Sequence, residues 1–462
     1  MAFSSISFLF YFLPLFFLIY YLVPAQGKNA VLLAGSLFFY AWGEPRWILL
    51  LLASILVTWL LGRAMRPEIA ARRRRALLIL GLVFQLGLLV AVKYAGFFFG
   101  ALLPLPKLHL PLGVSFYTFH AISYLVDVYR QKTPPQKNLL RLGLYLALFP
   151  KLVMGPIVPY HELEPALAQR TVCVQDVSDG CFRFTLGLGK KVLLADALAG
   201  LVTGIWGDPA SLTVLSAWLG LIGYALQLYF DFSGYSDMAI GLGRMLGFRF
   251  PENFRYPYLC SSISDFWRRW HISLGSWFKK YLYFPLGGSR AGTARTLRNL
   301  LLVWLATGLW HGASWNYVLW GLYFGVLICL EKLLAPRFRA HPRRRLLAGL
   351  YRPVCLLLAV LGWVLFRAED LPAAGRYFAC LFGGAAGANA QARLYLHDFW
   401  PTLLLGAFGA TPLCAKLAGR LGAIMRPGVR AAVQAVLVLA LLACSTVWLL
   451  NGSVQSFVYF QF

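Results

Sequence analysis

The sequence predicts an all-α, polytopic integral membrane protein with about ten to twelve membrane segments, some of them re-entrant or broken. Two observations carry that reading. Only 13% of the residues are charged while 60% are hydrophobic, whereas about a quarter of a soluble chain is charged. Apolar runs of roughly 17–25 residues also recur, each long enough to cross about 30 Å of hydrocarbon. The ten-residue alternation of a transmembrane barrel is absent. The formal charge of +26 comes from 43 Lys and Arg against 17 Asp and Glu. These basic residues sit in short loops between apolar runs, which sets topology and gives no reason to expect nucleic acid. Some of them suit anionic membrane lipid or a phosphate-bearing substrate. The eight cysteines are scattered, with no C-x-x-C pair and no Cys/His cluster at zinc spacing, so no metal site is expected.

Taken in order, 5–23 is read as a retained first span, because it lacks the basic start and small-residue cleavage site of a signal peptide. Runs near 29–43 and 47–62 follow, then "RRRR" at 72–75, the clearest cytoplasmic marker. Counting back from that marker puts the N-terminus outside. Counting forward, 76–98 goes out and 112–129 returns. Residues 143–158 are then expected to go out again, toward an outer loop holding Glu162, Glu164, Asp176 and Asp179. The stretch 181–247 is interrupted by Lys190, Lys191, Asp196, Asp231 and Asp237, and its crossings stay unassigned. Further spans are expected near 346–366, 399–415 and 431–450, with 416–430 inside. The whole chain, 1–462, reads as one domain with a core at about 231–321.

Two strongly basic regions, 244–298 and 335–345, flank the mostly apolar stretch 299–332. Both should be cytoplasmic, so the stretch between them must cross an even number of times or re-enter. Its obvious break is "GLWHGAS", 308–314. About twelve helical residues from Asn299 rise about 18 Å, which puts His311 around or beyond mid-bilayer. Broken backbone at that depth is tolerated only inside protein or beside a wet cavity.

His311 among Trp310, Trp315 and Trp320 is either a packed histidine or a neutral general base for acyl transfer. His271 lies in "SDFWRRWHISLGSWFKKYLYFPLGG", 264–288, where Trp267, Arg268, Arg269, Trp270 and Lys279 describe an interfacial amphipathic segment. The same composition suits a vestibule for a phosphorylated acyl donor or an acidic carrier protein. Asp231 and Asp237 lie in an apolar setting, where ionisable groups are functional candidates or partners of arginines. His120, Tyr124 and Asp127 fall near one helical face. Cys260 is a conceivable covalent acyl carrier. No G-x-S-x-G elbow or P-loop is present.

The segments "DFSGYSDMAIGLGRMLGFRFPENFRYPYLCSSISDFWRRWHISLGSWFKKYLYFPLGG" and "NLLLVWLATGLWHGASWNYVLWG" resemble the core of the membrane-bound O-acyltransferase superfamily. "FSSISFLFYFLP", "LFFYAWGEP", "PLGVSFYTFHAISYLVDVYR", "LFPKLVMGPIVPY" and "FVYFQF" extend the resemblance nearly end to end, toward the bacterial alginate O-acetylation branch. It implies that His311 is the catalytic histidine and His271 the second signature position. It also implies a ring of tilted helices with funnels from both sides meeting near His311. The implied activity takes an acyl group, by default acetyl from acetyl-CoA as substrate, with no bound cofactor. The acyl group passes across the bacterial inner membrane to an envelope polysaccharide, directly or through an SGNH-type partner. D-alanyl transfer from a carrier protein, as in the teichoic acid branch, is the nearest alternative. A transporter or a scaffold with a structural histidine is the alternative of a different class, although a transporter would usually show repeated halves.

Overall fold

Every regular element of the computed structural model is a helix, among the described residues 2–99, 111–290, 292–452 and 457. Among the described residues, five helices are long and apolar enough to cross a membrane, or six if a bent pair is one span. Other apolar runs fold into shorter helices, Ser7–Leu22 and Ile48–Ala64, in keeping with the broken segments that the sequence suggests. Rows of apolar side chains such as Leu52, Leu56 and Leu60, or Val436 and Leu439, remain exposed. Such rows are what a lipid-facing surface requires. The chain divides into two compact units, residues 1–187 with 235–251, and 188–234 with 252–462.

The first unit contains α1 (Leu13–Leu22), α2 (Lys28–Gly43), α3 (Ile48–Ala64), α4 (Ala71–Leu89), α5 (Val114–Tyr129), α6 (Leu139–Ala147) and most of α7 (Val174–Gly189). Its sequence-predicted topology needs one correction. The stretch 143–158 is not a crossing. α6 stops at Ala147, Phe149–Leu152 makes a single turn, and the chain then runs irregularly to Pro159. Pro150, Pro156 and Pro159 interrupt any continuous helix. The segment returns to the end it left: Thr133 Oγ1 donates to Glu164 Oε2 at 2.7 Å, and Gln136 Nε2 donates to Tyr160 OH at 2.7 Å.

That same end collects other loops. Tyr20 OH donates to the carbonyl of Leu246, and Arg170 Nη1 to Asn29 Oδ1. Asp176 pairs with Arg249 at 2.6 Å and Asp179 with Arg244 at 2.5 Å. The acidic loop 162–179, expected on the outer face, therefore shares a face with the basic 244–249 segment. A re-entrant 143–158 changes the parity of the count by one and removes the conflict.

In the second unit, α8 (Asp196–Trp206) and α9 (Val214–Met245, its last part in the first unit) precede the site elements. These are α10 (Ile263–Arg269), α11 (Ile272–Phe278), α12 (Thr293–His311), α13 (Trp315–Ala340) and α14 (Arg344–Arg367). α13 runs on through Pro336 to Ala340, so the basic region 335–345 is partly helical. α15 (Leu371–Leu381), α16 (Ala390–Gly409), α17 (Leu413–Ile424) and α18 (Pro427–Asn451) complete it. The expected span 399–415 and inner loop 416–430 are also corrected. α16 turns by 66° into α17, a break at Gly409 and Pro412, so residues 416–424 are helical.

α12 and α13 form the hairpin on which the site rests. A Cβ at Gly321 would collide with the carbonyl oxygen of Trp304, and one at Gly308 with that of Tyr317. The backbones touch directly, the arrangement small residues permit between membrane helices.

Candidate active site

His311 is the last residue of α12, at the tip of this hairpin, where Gly312 leaves the helix in extended backbone and Ser314 caps α13. The helix break falls within the 308–314 motif. The imidazole is 4% exposed and held by aromatic rings at near-right angles, with Trp320 at 4.9 Å and Phe366 at 5.1 Å between centroids. Trp310, its chain neighbour, stands 4.7 Å from it and 6.0 Å from His271, so one indole is shared by both histidines.

His271 joins α10 to α11 in a left-handed backbone conformation, φ 45°, unusual for a residue with a side chain. Its Nδ1 accepts the N–H of Leu274 at 3.2 Å, so the ring acts as the N-cap of α11. That bond fixes the tautomer: the neutral ring carries its proton on Nε2. Nε2 is buried without a protein hydrogen-bond partner among the described residues. His271 therefore offers a donor, not a base.

A cavity of about 1010 Å³ opens beside these elements, within the second unit. Trp267, Arg268, Trp270, His271 and Lys279 all line it, with Thr307 from α12 and Lys332 from α13. Thr307 is one helical turn before His311, so the cavity reaches to about 5–6 Å along the axis from the catalytic candidate. His311 itself is not on the cavity wall. The indole N–H of Trp267 is a second buried donor lacking a protein partner among the described residues. A mostly apolar pocket with a few donors and cations on its wall fits a ligand that is partly apolar and partly charged.

Three residues of the sequence-predicted set lie elsewhere. Arg269 turns back to Asp265 at 3.0 Å and does not line the cavity. Asp231 is fully buried against Lys191 at 2.6 Å, and the same ammonium holds Asp196 at 2.7 Å. Asp237 pairs with Arg183 at 2.6 Å, inside the first unit. Charge compensation of a buried carboxylate explains the placement of both aspartates better than ligand binding. Cys260 is buried and off the cavity wall. His120 and Tyr124 accept the N–H groups of Val158 and Gln136, while Asp127 pairs with His161 at 2.8 Å. These residues fasten the re-entrant segment of the first unit. Glu331 and Tyr351, which also line the cavity, carried no sequence signal beyond being polar residues in or beside an apolar run.

Comparison with known proteins shows the family. Residues 130–352 match the model of the membrane-bound O-acyltransferase family. The chain is 43% identical to the probable alginate O-acetylase AlgI of Azotobacter vinelandii, over 83% of this chain and 78% of the relative. It is 44% identical to the protein of the same name from Pseudomonas aeruginosa, over 83% of this chain and 75% of the relative. It is 35% identical to the peptidoglycan O-acetyltransferase of Helicobacter pylori, over 81% and 78%. With a histidine at the tip of a membrane hairpin and a donor-lined cavity one turn away, this multi-pass protein is an O-acyltransferase, a member of the membrane-bound O-acyltransferase family.

Proposed function

We propose that this enzyme moves an acetyl group from acetyl-CoA, entering from the cytoplasmic side of the bacterial inner membrane, to an outward-facing acceptor. An envelope polysaccharide is then O-acetylated, directly or through an SGNH-type partner. The similarity to alginate and peptidoglycan O-acetylating enzymes supports acetyl and a polysaccharide acceptor. The single observation that carries the donor side is the cavity, with Arg268, Lys279 and Lys332 on its wall and the Trp267 and His271 donors within it.

In this reading the cations hold the donor's phosphates and the apolar walls take its thin arm. The Nε2–H of His271 donates to the thioester carbonyl as negative charge develops there. His311 accepts the proton of the acceptor hydroxyl as its oxygen bonds to the acyl carbon, and returns a proton to the leaving thiolate. The aromatic cage around His311 excludes bulk water, which would otherwise hydrolyse the thioester.

The test is ester-linked acetate on envelope polysaccharide in cells lacking the protein, complemented at matched membrane abundance. Wild type should restore it, and His311→Ala should restore less than about a hundredth. Full restoration by His311→Ala would make the histidine structural. A relative at 29% identity, the teichoic acid D-alanyltransferase of Bacillus subtilis, matches over only 47% of this chain and 58% of its own length. D-alanyl transfer from a carrier protein is therefore the second reading, and ester-linked D-alanine in place of acetate would establish it.

A further inference from the structure

We propose that Glu331, on the middle of α13, is a positioning residue for the acyl-donor cavity: it caps α10 from a separate helix and so sets where Trp267, Arg268, Trp270 and His271 stand. The inference rests on the donor-cavity reading above.

The first turn of any helix leaves N–H groups that need partners. α10 satisfies one of them locally: Ser262 Oγ, the N-cap, accepts the N–H of Asp265 at 2.9 Å. Asp265 turns back to accept the N–H of Ser261 at 3.0 Å. The N–H groups of Ile263 and Ser264 go instead to Glu331, one to each carboxylate oxygen. The Ser264 hydroxyl donates to Oε2 at 2.6 Å and the Tyr351 hydroxyl of α14 donates to Oε1 at 2.9 Å. One carboxylate thus ties together α10, α13 and α14, and all four of its partners are neutral donors. It lines a cavity whose wall carries Arg268, Lys279 and Lys332, yet its charge is spent on α10.

The geometry carries this fixation inward. Trp320, Phe324 and Glu331 follow one another at spacings of four and seven along α13, so they share one face. Trp267 of α10 packs on that face, 5.4 Å from Trp320 and 4.9 Å from Phe324. Trp320 in turn packs against His311. α10 ends one residue before Trp270 and two before His271, whose strained backbone must be held by its surroundings. Releasing the N-terminus of so short a helix therefore moves the cavity wall and the Nε2 donor together.

The purified full chain in nanodiscs is assayed with acetyl-CoA as donor. Glu331→Gln keeps one acceptor oxygen but turns an amide donor toward a backbone N–H. Its donor KM should rise roughly tenfold or more, with kcat changed far less. Tyr351→Phe removes one of four bonds and should raise KM about two- to threefold. Gln85→Ala, which removes a buried hydrogen-bonded side chain of the first unit, should lower the folded yield and leave donor KM unchanged. Unchanged donor KM in Glu331→Gln at matched folded amount overturns the proposal. So does a fall in yield with normal KM for the protein that remains. If the wild type moves no acetyl from acetyl-CoA, the functional reading falls and amide exchange decides the clamp alone. Faster exchange at residues 263–271 in Glu331→Gln, by about tenfold, upholds it, and equal rates overturn it.

Discussion

At the scale of single residues, the two histidines have different chemistry because their backbones differ. His311 ends a helix and is caged by rings that keep bulk water from it. His271 spends Nδ1 on the α11 cap and has only a donor left. The two roles of His271 separate in one substitution. Asparagine tolerates the left-handed conformation and caps helices well, so His271→Asn should keep wild-type thermal stability while acetyl transfer falls about tenfold or more. His271→Ala should additionally lose about 1 kcal/mol of stability, the usual cost of a lost cap. Equal activity of the asparagine variant and wild type would remove the ring from the chemistry. Both histidines were legible in the sequence, as polar residues in aromatic, apolar settings. That one is a donor was not, since it depends on which nitrogen meets the N–H of Leu274.

At the scale of elements, close backbone packing and local helix geometry decide what survives substitution. Gly321→Ala puts a methyl group against the Trp304 carbonyl, where no flexible side chain can give way. It should destabilise the α12–α13 hairpin by about 1–3 kcal/mol, read as a lower thermal midpoint in detergent, and reduce activity with it. The glycines are visible in the sequence, but their partners are not. The buried Lys191 is a similar case. Lys191 and Asp196, five apart, would point away from each other on an α-helix. The π-helical turn Lys190–Ala195, with its i→i+5 repeat, brings them to one side. Lys191→Met should cost about 3–5 kcal/mol, because it leaves two buried carboxylates without their cation. The hairpin break at His311 was foreseeable from Gly308, Gly312 and Ser314. The re-entrant 143–158 was not, because its run is apolar enough to cross.

At the scale of the whole molecule, the face that gathers 20–29, 129–136, 160–179 and 244–249 in the first unit also holds the end of α3, where Gly62 lies against the Tyr124 ring. Arg63, Arg130, Arg170, Arg244 and Arg249 all belong to that end. The positive-inside rule predicts that this end faces the cytoplasm. Cys173, which is exposed there, should resist a membrane-impermeant maleimide in intact spheroplasts and react once they are permeabilised. A variant retaining Cys173 as its only cysteine makes the reading clean. Labelling from outside would restore the outer placement that the span count suggested.

The sequence by itself determined the solvent, the helical class and the family, and it singled out the two histidines as candidates. Composition, run length and short motifs are local properties, and each is complete in a stretch of about 20–60 residues. Tertiary structure alone decided which apolar run re-enters, and which carboxylates are silenced by Arg183 or Lys191. It also decided that Glu331 holds α10 in place. Those outcomes depend on pairings between residues far apart in the chain, where a buried charge or unpaired N–H must find its partner in space.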